Sequence, residues 1–226
     1  MQDKQRIKKR IEKVIISHGY RKYASFAESK AVGDVIFYFW MEAPTSTVYI
    51  SFCVYPTFMP PQEIPKCTVF GNRISMAFPD LGWFNENDDD EELESKLIKL
   101  DCFISERIEP LVTLLSNRET FIDTLYQANK LGLLRYIPDH KYRLLMYNAL
   151  YNRDYSDALN YADEYVGMMY YYKATPELIE KAEKEVKRIK EMVTAKDYKR
   201  IETMLYTFRE QNYKNYKIDP TQQAER

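Results

Sequence analysis

Glycine is scarce in this chain of 226 residues: six, at positions 19, 33, 71, 82, 132 and 167. No Gly-rich phosphate loop and no dinucleotide fingerprint can be assembled from them at the required local spacing. There are only two histidines, His18 and His140. No Cys-x-x-Cys or His-Glu-x-x-His spacing is present, so no metal centre is expected. The three cysteines, Cys53, Cys67 and Cys102, are odd in number, far apart and set among apolar residues. They read as free, buried thiols of a reducing cytoplasm. Net charge is close to balanced, at -1. That leaves no global field for nucleic acid or an anionic membrane. The longest uncharged span, 43–62, is interrupted by Pro44, Pro56, Pro60 and Pro61. It is therefore not expected to cross a bilayer. The charged start lacks an apolar h-region, so no secretory signal is expected.

What the chain has in quantity is apolar and aromatic residues, 45% and 15% of the total. Val35 to Met41 and Val48 to Tyr55 are dense in β-branched and aromatic residues around a polar break at 42–47. They predict a central hairpin with a six-residue loop, its first strand covered on both faces. Ahead of it, Ile7, Ile11, Val14 and Ile15 make the stripe of a helix from Asp3 to Ser17, closed by Gly19, with His18 at the helix end. Tyr20 to Phe26 reads as a further strand. Cys67 to Phe70 and Arg73 to Phe78 read as a short strand pair around Gly71-Asn72. The sheet is expected to hold four or five antiparallel strands. Leu93, Leu97, Leu100, Ile104, Ile108, Leu111 and Leu115 then advance in steps of three and four and predict one long core-facing stripe. Pro110 either kinks that helix or opens a new one. A helix capped by Ser116 or Asn117 follows, ending near Leu131-Gly132.

From Tyr142 the pattern is helical throughout: 142–150, 155–170, 176–193 with Thr175 as cap, and 197–213. The tail from Asn215 is polar and expected to fray. Arg153-Asp154-Tyr155 and Lys196-Asp197-Tyr198 lie 43 residues apart, an internal echo that two stacked helical hairpins would produce. The expected architecture is α+β: an antiparallel sheet domain over 1–116 and a helical domain over 117–226.

The order His18-Gly19-Tyr20-Arg21-Lys22, dense hairpin, Asn72-Arg73-Ile74, Leu81-Gly82-Trp83-Phe84 and long helix to Ser116 is similar to a family of bacterial domains of unknown function. The resemblance spans roughly residues 5 to 116. It implies an α+β domain of bacterial origin, of a kind found beside toxin or defence genes, and carries no catalytic residue. Ala149 to Ala162, with its small residue, acidic-aromatic turn and Ala-Leu, resembles the turn of a tetratricopeptide repeat, at a longer period.

Charge is uneven: +5 over residues 1–40 and -7 over 85–116. The run Asn85 to Glu92 fails as an EF-hand loop, because Asp90 stands where Gly is needed and Lys96 where Glu is needed. Acidic residues also suit a helix N-terminus. As a surface, Asp88, Asp89, Asp90, Glu91 and Glu92 would steer a basic protein partner. Twenty tyrosines are the other anomaly. Met168, Met169, Tyr170, Tyr171 and Tyr172 cannot all turn inward from one helix end, so part of that surface is expected to face solvent or another chain.

The expected function is a cytoplasmic protein-interaction module of immunity or defence type, using the acidic run or the Tyr-rich surface, without cofactor or membrane. A homo-oligomer stays open. The rival is an enzyme with an unrecognised site, drawing on Arg73, Trp83, His140 or the acidic run. A third reading, nucleic-acid binding, rests on tyrosines interleaved with Lys and Arg over 198–217.

Overall fold

The computed structural model describes residues 2–61, 70–136 and 138–219. The fold is α+β, and its contacts gather into two units. The first takes the described residues of 2–56, 70–135 and 213–219; the second takes 57–61, 136 and 138–212.

In the first unit, α1 (Gln2–Ser17) seals Ile7, Ile11 and Ile15 completely from solvent. It stops at Gly19, whose φ of +82° no β-carbon favours. Five strands follow: β1 (Arg21–Ala24), β2 (Ala27–Val32), β3 (Val35–Glu42), β4 (Thr47–Pro56) and β5 (Phe70–Arg73). They lie in that spatial order, each antiparallel to the next. The central hairpin pairs Val35 with Pro56 and Glu42 with Tyr49, leaving six residues, 43–48, beyond the last pair. Val35 to Phe39 are all buried, as a strand covered on both faces requires. Helix α2 (Ile74–Ala77), the short strand β6 (Phe84–Asn85) beside the start of β4, α3 (Asp90–Phe103), α4 (Glu109–Leu115), α5 (Phe121–Lys130) and β7 (Arg135–Tyr136) complete the order. Every member of the Leu93 to Leu115 stripe is buried. Its helix is not continuous: a π-helical turn at Ile104–Ile108 separates α3 from α4. Pro110, which has no N–H to donate to the preceding turn, lies in the first turn of α4, directly after this π-helical turn.

Four expectations give way. Of the expected strand over 73–78 only Arg73 is one, as the last residue of β5; from Ile74 the chain is helical, and Phe78 N–H donates to the Ile74 carbonyl, closing α2. Only Ile74 of that helix is buried, so the alternation needed for a strand has no core to face. Cys67 and the start of the strand pair lie outside the described residues. Cys102 is exposed, because it falls beside the α3 stripe rather than on it, while Cys53 is buried. The tail does not fray at Asn215: Tyr216 is 1% exposed, and Ser29 Oγ donates to its carbonyl at 2.9 Å. Finally, residues 117–135 gather with the sheet rather than with the later helices, since α5 packs against α4 and buries Phe121, Leu125 and Ala128.

The second unit is built from α6 (Pro138–Tyr151), α7 (Tyr155–Tyr171), α8 (Pro176–Thr194) and α9 (Tyr198–Asn215), the last through residue 212. The 43-residue echo is a repeated turn. Arg153 and Lys196 both take positive φ, 63° and 55°, and donate to Leu150 and Val193. Asp154 and Asp197 each accept from the amide three residues on, at 3.2 Å, capping α7 and α9. Tyr155 and Tyr198 then stack with ring centres 4.3 Å apart. Residues 57–61 join this unit because Asn212 Nδ2 donates to the carbonyls of Thr57 and Met59, and Phe58 stacks on Tyr151 at 4.8 Å.

Candidate functional site

The acidic run is largely consumed within the first unit. Asp89 caps α3 by accepting from the Glu92 amide at 2.8 Å. Asp88 is buried, accepting from the Asn85 amide and the Lys96 ammonium, each at 2.9 Å. Lys96 also reaches Glu92 at 2.6 Å. Burial pulls the Lys96 pKa down, but Glu92 and Asp88 more than offset it, and the ammonium ends up held above its ordinary value. Asp90 faces Arg6 at 3.0 Å and Arg10 at 3.4 Å across α1, and Arg10 also pairs with Glu94. Glu91 points to solvent. Charges that look like a docking patch in the sequence therefore serve a cap and an interhelical network, leaving a smaller field for a basic partner.

The tyrosine-rich end of α7 behaves differently. Met169 is buried and Met168 partly so, whereas Tyr170, Tyr171 and Tyr172 are 55%, 75% and 49% exposed. Tyr170 donates to Glu183 of α8 at 2.6 Å, a bond that raises the phenol's pKa. Tyr171 and Tyr172 meet edge to face at 5.2 Å. Leu178, in the first turns of α8, adds another half-exposed apolar side chain across the connecting turn. Along the same two helices runs an open groove of about 770 Å³ with Val166 and Val186 among its apolar lining and Asp163, Glu183, Lys187 and Lys190 around it. Sequence spacing announced the exposed tyrosines. It could not announce the groove, which depends on how α7 and α8 lie together.

Two residues of the enzyme reading are brought near each other by Tyr49 on β4. Trp83 meets the Tyr49 ring edge-on at 5.2 Å, and the Arg73 guanidinium lies 4.2 Å from the centre of that ring. Arg73 also reaches Glu42 at 4.0 Å, and Trp40 donates to Glu42 at 3.1 Å. His140 belongs to the other unit. His18 closes α1 as expected and bonds to Asp101 of α3 at 2.9 Å. In the 198–217 stretch, Tyr198 is stacked on Tyr155, and Tyr213 and Tyr216 are buried, leaving Tyr206 as its well-exposed ring. A run of stacking platforms along that stretch is not what the fold presents.

Among the described residues, no three His, Cys, Asp or Glu side chains gather so as to hold a metal ion. None of the described helices is long and apolar enough to cross a membrane. Comparison with protein-family models, with curated proteins and with solved structures finds no match to this chain.

Proposed function

We propose that this protein is a protein–protein interaction module whose helical unit receives the partner. The observation that carries the reading is the cluster of Tyr170, Tyr171, Tyr172 and Leu178 around the α7–α8 turn, each about half exposed or more. Tyrosine supplies large contact area with a polar tip and few torsions to freeze, which is why it is enriched at interfaces. The partner this surface fits presents an apolar strip with charge on both flanks, such as one face of an amphipathic helix. Its apolar side would enter the groove lined by Val166 and Val186, and its flanks would meet Lys187, Lys190, Glu183 and Asp163. In the reducing cytoplasm proposed for it, Cys53 and exposed Cys102 remain thiols.

A photo-crosslinking residue at position 171 of the full chain, expressed in its own cell, tests this directly. One protein should be captured in high yield from position 171 and not from equally exposed Leu131. Tyr172→Ala in the same chain should reduce that capture several-fold. Equal capture from both positions, or a small molecule retained without protein in native mass spectrometry, would overturn the proposal in favour of an enzyme.

A further inference from the structure

Strand β2 carries a carboxyl group in an unusual setting. Glu28 is 0% exposed, and among the described residues neither of its carboxyl oxygens has a hydrogen-bond partner. Its neighbours across the sheet are Lys22 on β1 and Phe39 on β3. Phe39 is fully buried and packs against Tyr20 at 4.8 Å. An ionised carboxylate in such a place, without a donor, costs far more than a neutral one.

The charges around it do not relieve the cost. From α1, Glu12 adds a repelling carboxylate. Lys22 is the cation that acts on Glu28, yet its ammonium is already bound to Glu12 at 2.5 Å. Lys30, further along β2, is engaged by Glu109 at 2.6 and 2.7 Å and lies 4.3 Å from the Tyr20 ring. Lys8 of α1 sits over the Phe26 ring at 4.4 Å. β3 places Phe39, not a charge, beside Glu28.

We propose that Glu28 makes the docking of α1 on the sheet proton-coupled, the helix being held tightly while the carboxyl is neutral and more loosely when it is ionised. Burial first, then Glu12, raise the Glu28 pKa from 4.5 to about 8 against the weaker opposing pull of Lys22. When α1 lifts away, the carboxyl returns to water and its ordinary acidity. Between those two pKa values the closed state holds a proton that the opened state has released, so each rise in pH favours opening by up to about tenfold per unit. Below pH 4.5 both states are protonated, and above about 8 both are ionised, so the effect is flat outside that window. Acid tightens α1, and mild alkali loosens it.

Hydrogen exchange by mass spectrometry on the full chain, corrected for intrinsic rates, reads this between pH 5 and 9.5. Protection of the amides around Ile7 to Ile15 should fall as pH rises and level off near 8, relative to those of α8. Glu28→Gln should flatten the profile. Because that variant leaves an amide in an apolar site and risks misfolding, Glu12→Gln provides the second arm: removing the repelling charge should bring the levelling to lower pH. A wild-type profile without pH dependence, the same dependence in Glu28→Gln, or an unmoved levelling point in Glu12→Gln would overturn the proposal.

Discussion

Tyr216 carries more of the sheet unit than its place near the end of the chain suggests. Its ring lies 5.1 Å from those of Tyr23 and Tyr38 and 6.1 Å from Tyr55, forming an aromatic lid on one face of the sheet. Burial holds its phenol pKa well above the ordinary value, with Tyr23 adding to the rise. Most of what the residue contributes is apolar area and ring packing. Tyr216→Ala is expected to cost about 3–5 kcal/mol in urea unfolding, the range for deleting a buried large aromatic. Tyr216→Phe, which keeps the ring, should lie within about 1 kcal/mol of wild type. A similar loss in both variants would mean that the hydroxyl, not the ring, is what the cluster needs. The cue in the sequence is faint: Tyr213 and Tyr216 are spaced three apart like Leu205 and Phe208, but a step of five separates the two pairs. The polar residues around them, Lys214, Asn215 and Lys217, hid it.

At the scale of elements, periodicity decides what is legible. The seven-member stripe through α3 and α4 and the dense hairpin are both where the sequence places them, since each pattern repeats often enough to have one physical solution. Strand β2 is not among the expected strands, since Ala27-Glu28-Ser29-Lys30 has too few β-branched or aromatic residues to announce one. Only pairing with β3 and the cover of α1 convert it into a buried strand. Likewise, the acidic run is plain in composition, while Arg6 and Arg10, the partners of its Asp90, are 80 or more residues away. Arg6 and Arg10 on α1 meet Asp90 and Glu94 on α3 in an exposed network, so each pair is worth little alone. Arg10→Ala is expected to cost roughly 1 kcal/mol or less at low salt, and less still in half-molar salt, where screening shortens the reach of charge. The exchange Arg10→Glu with Glu94→Arg should recover part of that loss. Recovery absent at low salt would show that the Arg10 stem, which lines a shallow cavity with Val14 and Leu97, supplies the stability instead.

At the scale of the whole molecule, the division into two units has a direct optical signature. Both tryptophans, Trp40 and Trp83, belong to the sheet unit, whereas four of the longest helices make up the other. Each unit has its own buried set: Phe37, Phe39, Phe52 and Leu100 in one, Tyr147, Ala162, Ile189 and Ile201 in the other. The internal echo also gives the helical unit a repeated pair of capped turns, local structure that forms from residues close in sequence. Tryptophan fluorescence therefore reports the sheet unit alone, and far-ultraviolet circular dichroism is weighted toward the helices. In a urea titration the two probes are expected to give non-coincident transitions, because two units with their own buried sets need not melt together. Tyr216→Ala sharpens the comparison by weakening only the unit that holds the tryptophans. It should move the fluorescence midpoint to lower urea while leaving the larger part of the dichroism change in place. Coincident curves that shift together in the variant would mean that the four passages of the chain between the units bind both cores into one cooperative structure.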